Sequence, residues 1–310
     1  MTPLQKKNNY FFSGGVPLGK RVRRELRTRA LLWSLPLLKV LPLSVGAVLG
    51  RLAWVLVPRQ RRLAQEHLAI AFPEKTAAER DRIGRDSFAD LGRSALLTAR
   101  GDASRVELSA EDEALLRAAH AAGKGVIVVT GHLGAWELFA RRIAALGLPC
   151  ATVAKEAHDP RLTRLLQEQR ESAGVKVFWR GAPLSAREIL RFLKAGGLLG
   201  ILIDQDTSVA GHFVPFFGRP AFTPRAAGDL AAHLGAPMIF GYARKAAGGG
   251  HRIVLRPIDV PRTGDRDRDS LALTAAATLA IEEELRKDPV QWVWMHPRWR
   301  TQSPEIAREK

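Results

Sequence analysis

Residues 125–146 read GVIVVTGHLGAWELFARRIAAL, and this stretch decides the fold. Val126 to Val129 form a short continuous apolar run, the pattern of a strand buried on both faces. From Trp136 onward the apolar positions Trp136, Phe139, Ile143 and Leu146 recur at helical spacing. Gly131 and Gly134 bracket the change of period and permit a sharp turn between the two elements. A buried strand, a glycine turn and an amphipathic helix are the opening unit of an α/β sheet.

The alternation continues to either side. After Lys124 short β-rich runs (ATVAK, VKVFW, LLGILIDQ, APMIFGYARK, HRIVLRPI) alternate with helical ones (RLTRLLQEQRESAG, SAREILRFLKAGG, PRAAGDLAAHLG). The expected fold is an α/β core over residues 121–302, a mixed sheet flanked by helices with chemistry at its strand ends. Residues 59–120 form a helical lead-in to this domain: Leu63, His67, Ile70 and Ala71 share one helical face, and Ile83, Phe88, Leu91 and Leu96 share a second. The run RTGDRDRDS and the glycines at 248–250 are expected as surface connections, and 303–310 as a polar tail.

Residues 1–58 differ in composition. A basic cluster from Lys20 to Arg29 precedes the apolar stretch ALLWSLPLLKVLPLSVGAVLGRLAWVLVP, and Arg59, Arg61 and Arg62 follow it. Late onset and the lack of a small-residue cleavage site argue against a secretory signal. Lys39 and Arg51 interrupt the run, Pro36 and Pro42 remove helical hydrogen bonds, and both flanks are cationic. A monotopic or re-entrant membrane anchor fits these features better than a tilted span or a buried helix pair.

The chain has 310 residues, 46% of them hydrophobic, enough to bury a full core. Lysine and arginine number 48 against 31 acidic residues, a net charge of +17, which points to a polyanionic partner: nucleic acid, anionic lipid or an acidic carrier protein. No zinc-finger, aromatic RNA-binding or glycine-clamp motif accompanies the charge, so nucleic acid is the weakest of the three. The single cysteine, Cys150, excludes an internal disulfide and reads as a small buried residue.

Within the opening stretch, His132 and Glu137 are the candidate chemical pair. On one continuous helix they would lie roughly 140° apart. A non-helical turn at His132 instead lets the imidazole sit in the loop while Glu137, in the first helical turn, reaches back. A hydroxyl attacking a carbonyl is a weak nucleophile until a base takes its proton, and neutral imidazole does this near neutral pH with an acid to fix its tautomer. One His and one Glu at this spacing lack the two-His geometry of a helical zinc site. Taken alone, the pair reads more readily as a turn histidine and an acid favoured at a helix N-terminus. The other histidines, His67, His120, His158, His212, His233, His251 and His296, are read as structural.

The flanking text shifts that balance. GHLGAWE after a strand closely resembles the signature of the bacterial lipid A late acyltransferases, a branch of the lysophospholipid acyltransferase superfamily with a His-x4-Asp/Glu motif. RLLQEQRESAGVKVFWRG, ILIDQDTSVAG, HFVPFFGRPAFTPRAA and QWVWMHPRWRT are similar to further segments of that family, so the resemblance runs from about Leu31 to Thr301. It implies a glycerolipid-acyltransferase-like fold and an enzyme at the cytoplasmic face of the cell inner membrane, in lipopolysaccharide biosynthesis. The enzyme would move a fatty acyl chain from acyl carrier protein, or coenzyme A, to a hydroxyl of an anionic glycolipid, with the thioester as co-substrate and no cofactor. His132 would be the general base and Glu137 its orienting acid. Arg170, Asp204, Gln205, Phe217, Gly218 and Arg219 would form the substrate-binding set, and Lys155 is a weaker candidate of the same type.

Each residue also has a plain structural reading. Asp204 and Gln205 can close a turn, Arg170 can pair with a solvated neighbour, and Phe216, Phe217, Trp292, Trp294 and Trp299 can be core. An oxyanion hole is also required, and backbone amides at the helix start after Gly134 are the economical choice. Two rival readings keep part of this picture. A phosphatidylinositol mannoside, ornithine-lipid or lysoglycerolipid acyltransferase would use the same site on another acceptor, and a membrane-binding scaffold would carry the site unused.

Overall fold

A computed structural model describes residues 18–246 and 250–303 of the chain. A seven-stranded sheet has the order β1 (Val106–Glu107), β9 (His251–Pro257), β8 (Met238–Lys245), β2 (Val126–Thr130), β5 (Leu198–Leu202), β3 (Cys150–Ala154) and β4 (Val175–Trp179). β8, β2, β5, β3 and β4 run parallel, whereas β9 is antiparallel to β8. The sheet is therefore mixed but mostly parallel, flanked by helices.

β2 shows why the apolar run around Val126 has no alternation. Ile127 and Val129 enter one core, with α9 (Ala226–Leu234), α10 (Arg266–Lys287) and the tryptophans near position 294. Val126 and Val128 enter a second core on the opposite face, with Leu116 of α5 (Ala110–Ala121) and Leu138, Phe139 and Ile143 of α6 (Trp136–Ala144). A central strand covered on both faces must be apolar at every position. Cys150, at the start of β3, is a buried free thiol, and burial pushes its pKa up to about 12.

The N-terminal region is helical: α1 (Leu18–Val40), α2 (Leu43–Leu56), α3 (Pro58–Ala71) and α4 (Ala77–Arg100). Pro36, expected to interrupt helical bonding, lies inside α1, while Pro42 does mark a break, at the N-cap of α2. α4 starts with a full capping box, Thr76 and Glu79 bonding reciprocally, and ends on Gly101 in the left-handed conformation. Its inward face carries Ile83, Phe88 and Leu96, as the spacing predicts. α2 crosses α4 at backbone contact: a Cβ on Gly50 would lie 2.0 Å from the Phe88 carbonyl oxygen, and one on Gly92 2.0 Å from that of Gly46. No described helix is long and apolar enough to cross a membrane.

One expectation about loops needs correction in part. The RTGDRDRDS run is a connection only as far as its N-cap, Asp265, and from Arg266 it is the start of α10: Asp265 caps the helix by accepting from the amides of Asp267 and Arg268, and buried Asp269 accepts from Thr263 and Gly264. The Phe-Phe-Gly segment is a hairpin, β6 (Gly211–Phe216) and β7 (Arg219–Pro224), closed by Phe217 and Gly218. Both turn residues have positive φ, 51° and 72°, as a type I′ turn requires. That conformation costs Phe217 about 1 kcal/mol or more. Glu282 of α10 accepts the Phe217 amide at 2.6 Å, and the ring is enclosed by Phe72, Phe216 and Trp294. Glycines 248 and 249 of the expected turn and residues 304–310 lie outside the described residues.

Candidate functional site

β2 and β5 are parallel neighbours, with Thr130 opposite Leu202. Two residues beyond each strand end come His132 and Asp204, so the register alone brings them together at the carboxyl edge of the sheet. The Ile203 amide donating to the Thr130 carbonyl at 3.0 Å carries the pairing one step past the strands. Nδ1 of His132 lies 3.0 Å from Oδ1 of Asp204, and the His132 amide donates to Oδ2 at 2.8 Å. Trp292 donates its indole N–H to the same Oδ2 at 2.8 Å.

The two glycines have separate duties. A Cβ on Gly131 would sit 3.0 Å from the carboxyl carbon of Asp204, close enough to press the carboxylate back by a few tenths of an ångström. Gly134 has φ 56°, and a Cβ there would lie 2.2 Å from the Ala243 carbonyl oxygen. The turn is anchored at that point: Gly134 N–H donates to Gln291 O at 2.8 Å and Ala135 N–H to Ala243 O at 3.1 Å. The Gly134 and Ala135 amides are thus spent on the fold. The positions next in line are Trp136, Glu137 and Leu138, whose amides precede the first i→i−4 bond of α6, from Phe139 N–H to Ala135 O.

His132 does sit in the loop and Glu137 in the first turn of α6. The partner of the imidazole, however, is Asp204 and not Glu137. Glu137 forms a bidentate ion pair with Arg170 of α7 (Pro160–Glu171), with Nε at 3.1 Å and a terminal nitrogen at 2.5 Å. Both side chains are largely buried, 17% and 13% exposed, so this is a desolvated pair rather than the solvated one a helical neighbour would have made. The neighbours Gln167 and Glu171 bond to each other. Glu137 is taken up instead by α7, where the Arg170 guanidinium bonds both of its carboxylate oxygens.

Electrostatics follow this arrangement. Burial pushes the His132 pKa down, but the charge and hydrogen bond of Asp204, and more weakly the charge of Glu137, outweigh it and raise it above the ordinary value. Burial also pushes Asp204 up; the opposing charge of His132 and the three donors around the carboxylate overcome that and hold it well below the carboxylate range. With the carboxylate ionised, the proton of a neutral imidazole is held on Nδ1, and Nε2 keeps its lone pair. The side chain of His132 is 28% exposed while that of Asp204 is 1% exposed. The arrangement is a supported base that can be reached from outside, with the ring of Trp136 edge-to-face with the imidazole at 5.4 Å between centroids.

The remaining sequence-based candidates are scattered. Gln205 follows Asp204 and is half-buried; Lys155 and Arg219 are exposed; Gly218 is exposed at the hairpin tip; and Phe217 is core, with the Arg286 guanidinium 4.7 Å above its ring. Phe216 and the tryptophans Trp292 and Trp294 are also core. Several histidines read as structural are so bonded: His67 to Trp294 O, His120 to Gly196 O and His212 to Ser270.

The sequence reading passed over Asp206. It is buried and accepts from Arg300 at 3.1 Å, from the Thr301 amide at 2.7 Å and from the Thr301 hydroxyl at 3.0 Å. Buried Arg298 donates to Phe222 O and to the Thr223 hydroxyl, both at 2.6 Å, tying the same segment to the hairpin. The density of charge in DQD and PRWRT was the available signal, but nothing local says that the two runs meet.

A model of the bacterial lipid A biosynthesis acyltransferase family matches residues 27–301. The chain is 27% identical over 265 residues to the lipid A biosynthesis palmitoleoyltransferase of Escherichia coli, covering 83% of this chain and 84% of that protein. It is 24% identical over 267 residues to the lipid A biosynthesis lauroyltransferase of Escherichia coli, with the same two shares. To a phosphatidylinositol mannoside acyltransferase of Mycobacterium tuberculosis it is 25% identical over 200 residues, 62% of this chain and 60% of that protein. The family match spans the glycine turn, both strand ends and the segment that carries Trp292, and the chain is an acyltransferase of the bacterial lipid A biosynthesis acyltransferase family.

Proposed function

We propose that this acyltransferase moves a fatty acyl chain from a carrier thioester, with acyl carrier protein as donor, to a hydroxyl of a lipid A precursor at the cytoplasmic face of the inner membrane. The observation that carries the chemistry is the His132–Asp204 hydrogen bond at the carboxyl ends of two adjacent parallel strands. Nε2 of His132 takes the acceptor hydroxyl proton as that oxygen attacks the thioester carbonyl; the tetrahedral intermediate collapses with loss of the carrier thiolate, which recovers the proton. Asp204 holds the ring and stabilises the imidazolium. Glu137 acts at longer range, through its charge, and with Arg170 ties α6 to α7. Amides of the first turn of α6 are the nearest backbone donors for the oxyanion.

Membrane association at one leaflet is supported by α1 and α2. Val22, Leu26, Trp33, Leu37 and Val40 lie exposed at helical spacing along α1, Trp33 at 87%, and Val48, Leu52 and Val55 do so along α2. Arginines 23, 24, 27 and 29 share the first helix. An exposed apolar stripe beside cations suits an interfacial helix on an anionic surface.

The deciding experiment is incubation of the purified chain with acyl carrier protein thioester and lipid extracts, read by mass spectrometry. A mass gain on a lipid A precursor is the expected result, and no acylated lipid from any extract sinks the reading. The Mycobacterium relative supports a second acceptor class, phosphatidylinositol mannosides, which belong in the same assay.

A further inference from the structure

The Asp204 carboxylate is enclosed, 2% exposed, and accepts three hydrogens. Two come from His132 itself. The third, from the Trp292 indole, is the one donor of the three that does not move with the histidine. Trp292 is itself 2% exposed and closely held. Its backbone bridges Leu133, and the preceding Gln291 accepts the Gly134 amide on its carbonyl and the Lys245 amide on its side chain at 3.1 Å. Its ring packs 4.7 Å from Trp294 and 5.6 Å from Phe216. Farther along, Asp206 fastens Arg300 and Thr301.

We infer that Trp292 is a positioning residue for acyl transfer: its indole N–H occupies Oδ2 of Asp204, leaving Oδ1 aimed at Nδ1 of His132. This rests on the reading of His132 as the base. Without the N–H, the carboxylate loses a fixed point, and its negative charge is shared with fewer donors. A less satisfied carboxylate holds the imidazolium proton more tightly, so His132 should become free base only at higher pH. Removing the charge of Asp204 would have the opposite sign, and that contrast distinguishes positioning from general damage.

The test replaces Trp292 in the full chain by Phe and, separately, by benzothienylalanine, which keeps the bicyclic shape but has sulfur in place of N–H. Turnover against pH is measured with the carrier thioester, and His132 is followed by nitrogen NMR of its ring. Both variants should lose about tenfold in kcat with KM within about twofold, and the His132 titration should move to higher pH by about half a unit. A benzothienylalanine protein with wild-type kcat and an unmoved titration overturns the proposal; so does one that melts lower while His132 titrates as before, since that is a packing role. Failure of the base assignment would show separately, as wild-type turnover in His132→Ala, whereas the NMR titration reports on positioning without reference to activity.

Discussion

Nδ1 of His132 and Oδ1 of Asp204 stand 3.0 Å apart although 72 residues separate them in the chain, because β2 and β5 are neighbours and each residue lies two steps past its strand. The pair is a product of sheet order, and its chemistry can be taken apart one group at a time.

Replacing His132 by Ala removes the base. Acyl transfer should fall by about 10²–10⁴-fold, the usual contribution of a positioned general base. Circular dichroism and vesicle binding should not change. Wild-type turnover in the purified variant would end the assignment.

Asp204→Asn tests the sign of the electrostatics. The His132 pKa is raised in the folded protein, so activity that needs neutral imidazole rises as pH climbs through that raised value. Without the Asp204 charge the acid limb should move to lower pH while maximal kcat falls. Stability follows the same linkage. His132, raised above its ordinary 6.5, contributes stability that is fully present below that value and lost as pH rises through the folded one. Asp204, held low, contributes stability present above its ordinary 3.8 and lost as pH falls. The melting difference between wild type and variant should therefore be largest between those two pH values; a difference that grows above neutral pH would contradict the pairing.

Glu137→Gln should move the acid limb in the same direction as Asp204→Asn but by less, because its effect on His132 is the weaker one. It also strands Arg170, at a cost of roughly 1–3 kcal/mol for a largely buried pair. A double-mutant cycle with Arg170→Met should recover part of that loss in thermal melts. An acid limb shifted as far as in Asp204→Asn would instead return Glu137 to direct contact with the imidazole.

Gly50→Val should loosen α2 from α4, since its first added carbon would overlap the Phe88 carbonyl. A loss of about 3 kcal/mol in denaturant unfolding is expected, against a slight gain for Gly19→Ala in α1, where nothing lies within 4 Å. Equal effects at the two sites would mean that the α2–α4 crossing is not close-packed.

Trp33, Leu37 and Val40 provide the membrane test. Deleting everything before Arg59 would strip α2 from the buried face of α4, so point changes are the cleaner probe. Converting all three residues to Ser should weaken binding to anionic vesicles at least tenfold in a sedimentation assay and leave the melting temperature near that of wild type, because these side chains are already in solvent. Undiminished sedimentation would place the contact elsewhere.

What could be read from residues was whatever local period records. The unbroken apolar run at Val126–Val129, the switch to helical spacing at Trp136 and the glycines between them mark a strand, a turn and a helix without outside help. The partner of His132 could not be read this way. Glu137 lies five residues away and Asp204 seventy-two, and only the insertion of β5 between β2 and β3 makes the distant one near. The helix start at Asp265 was hidden because acids that cap a helix look like acids in a loop until their amide donors are known. The hairpin at Phe217 was hidden for the opposite reason: Phe-Gly is not a usual type I′ pair, and Glu282, which holds it, is 65 residues away.

The fastening of Arg300 and Thr301 to Asp206 bears on when this enzyme becomes an enzyme. His132 and Asp204 are synthesised well before the segment that braces them, and Trp292 can dock only after it has cleared the ribosome tunnel. A growing chain therefore completes α1 to α4, and both members of the His132–Asp204 pair, while its reaction centre is still unbraced. A product of interrupted translation that lacked residues 292–301 would keep both members of the pair but not the indole donor to Asp204 or the partners of Asp206.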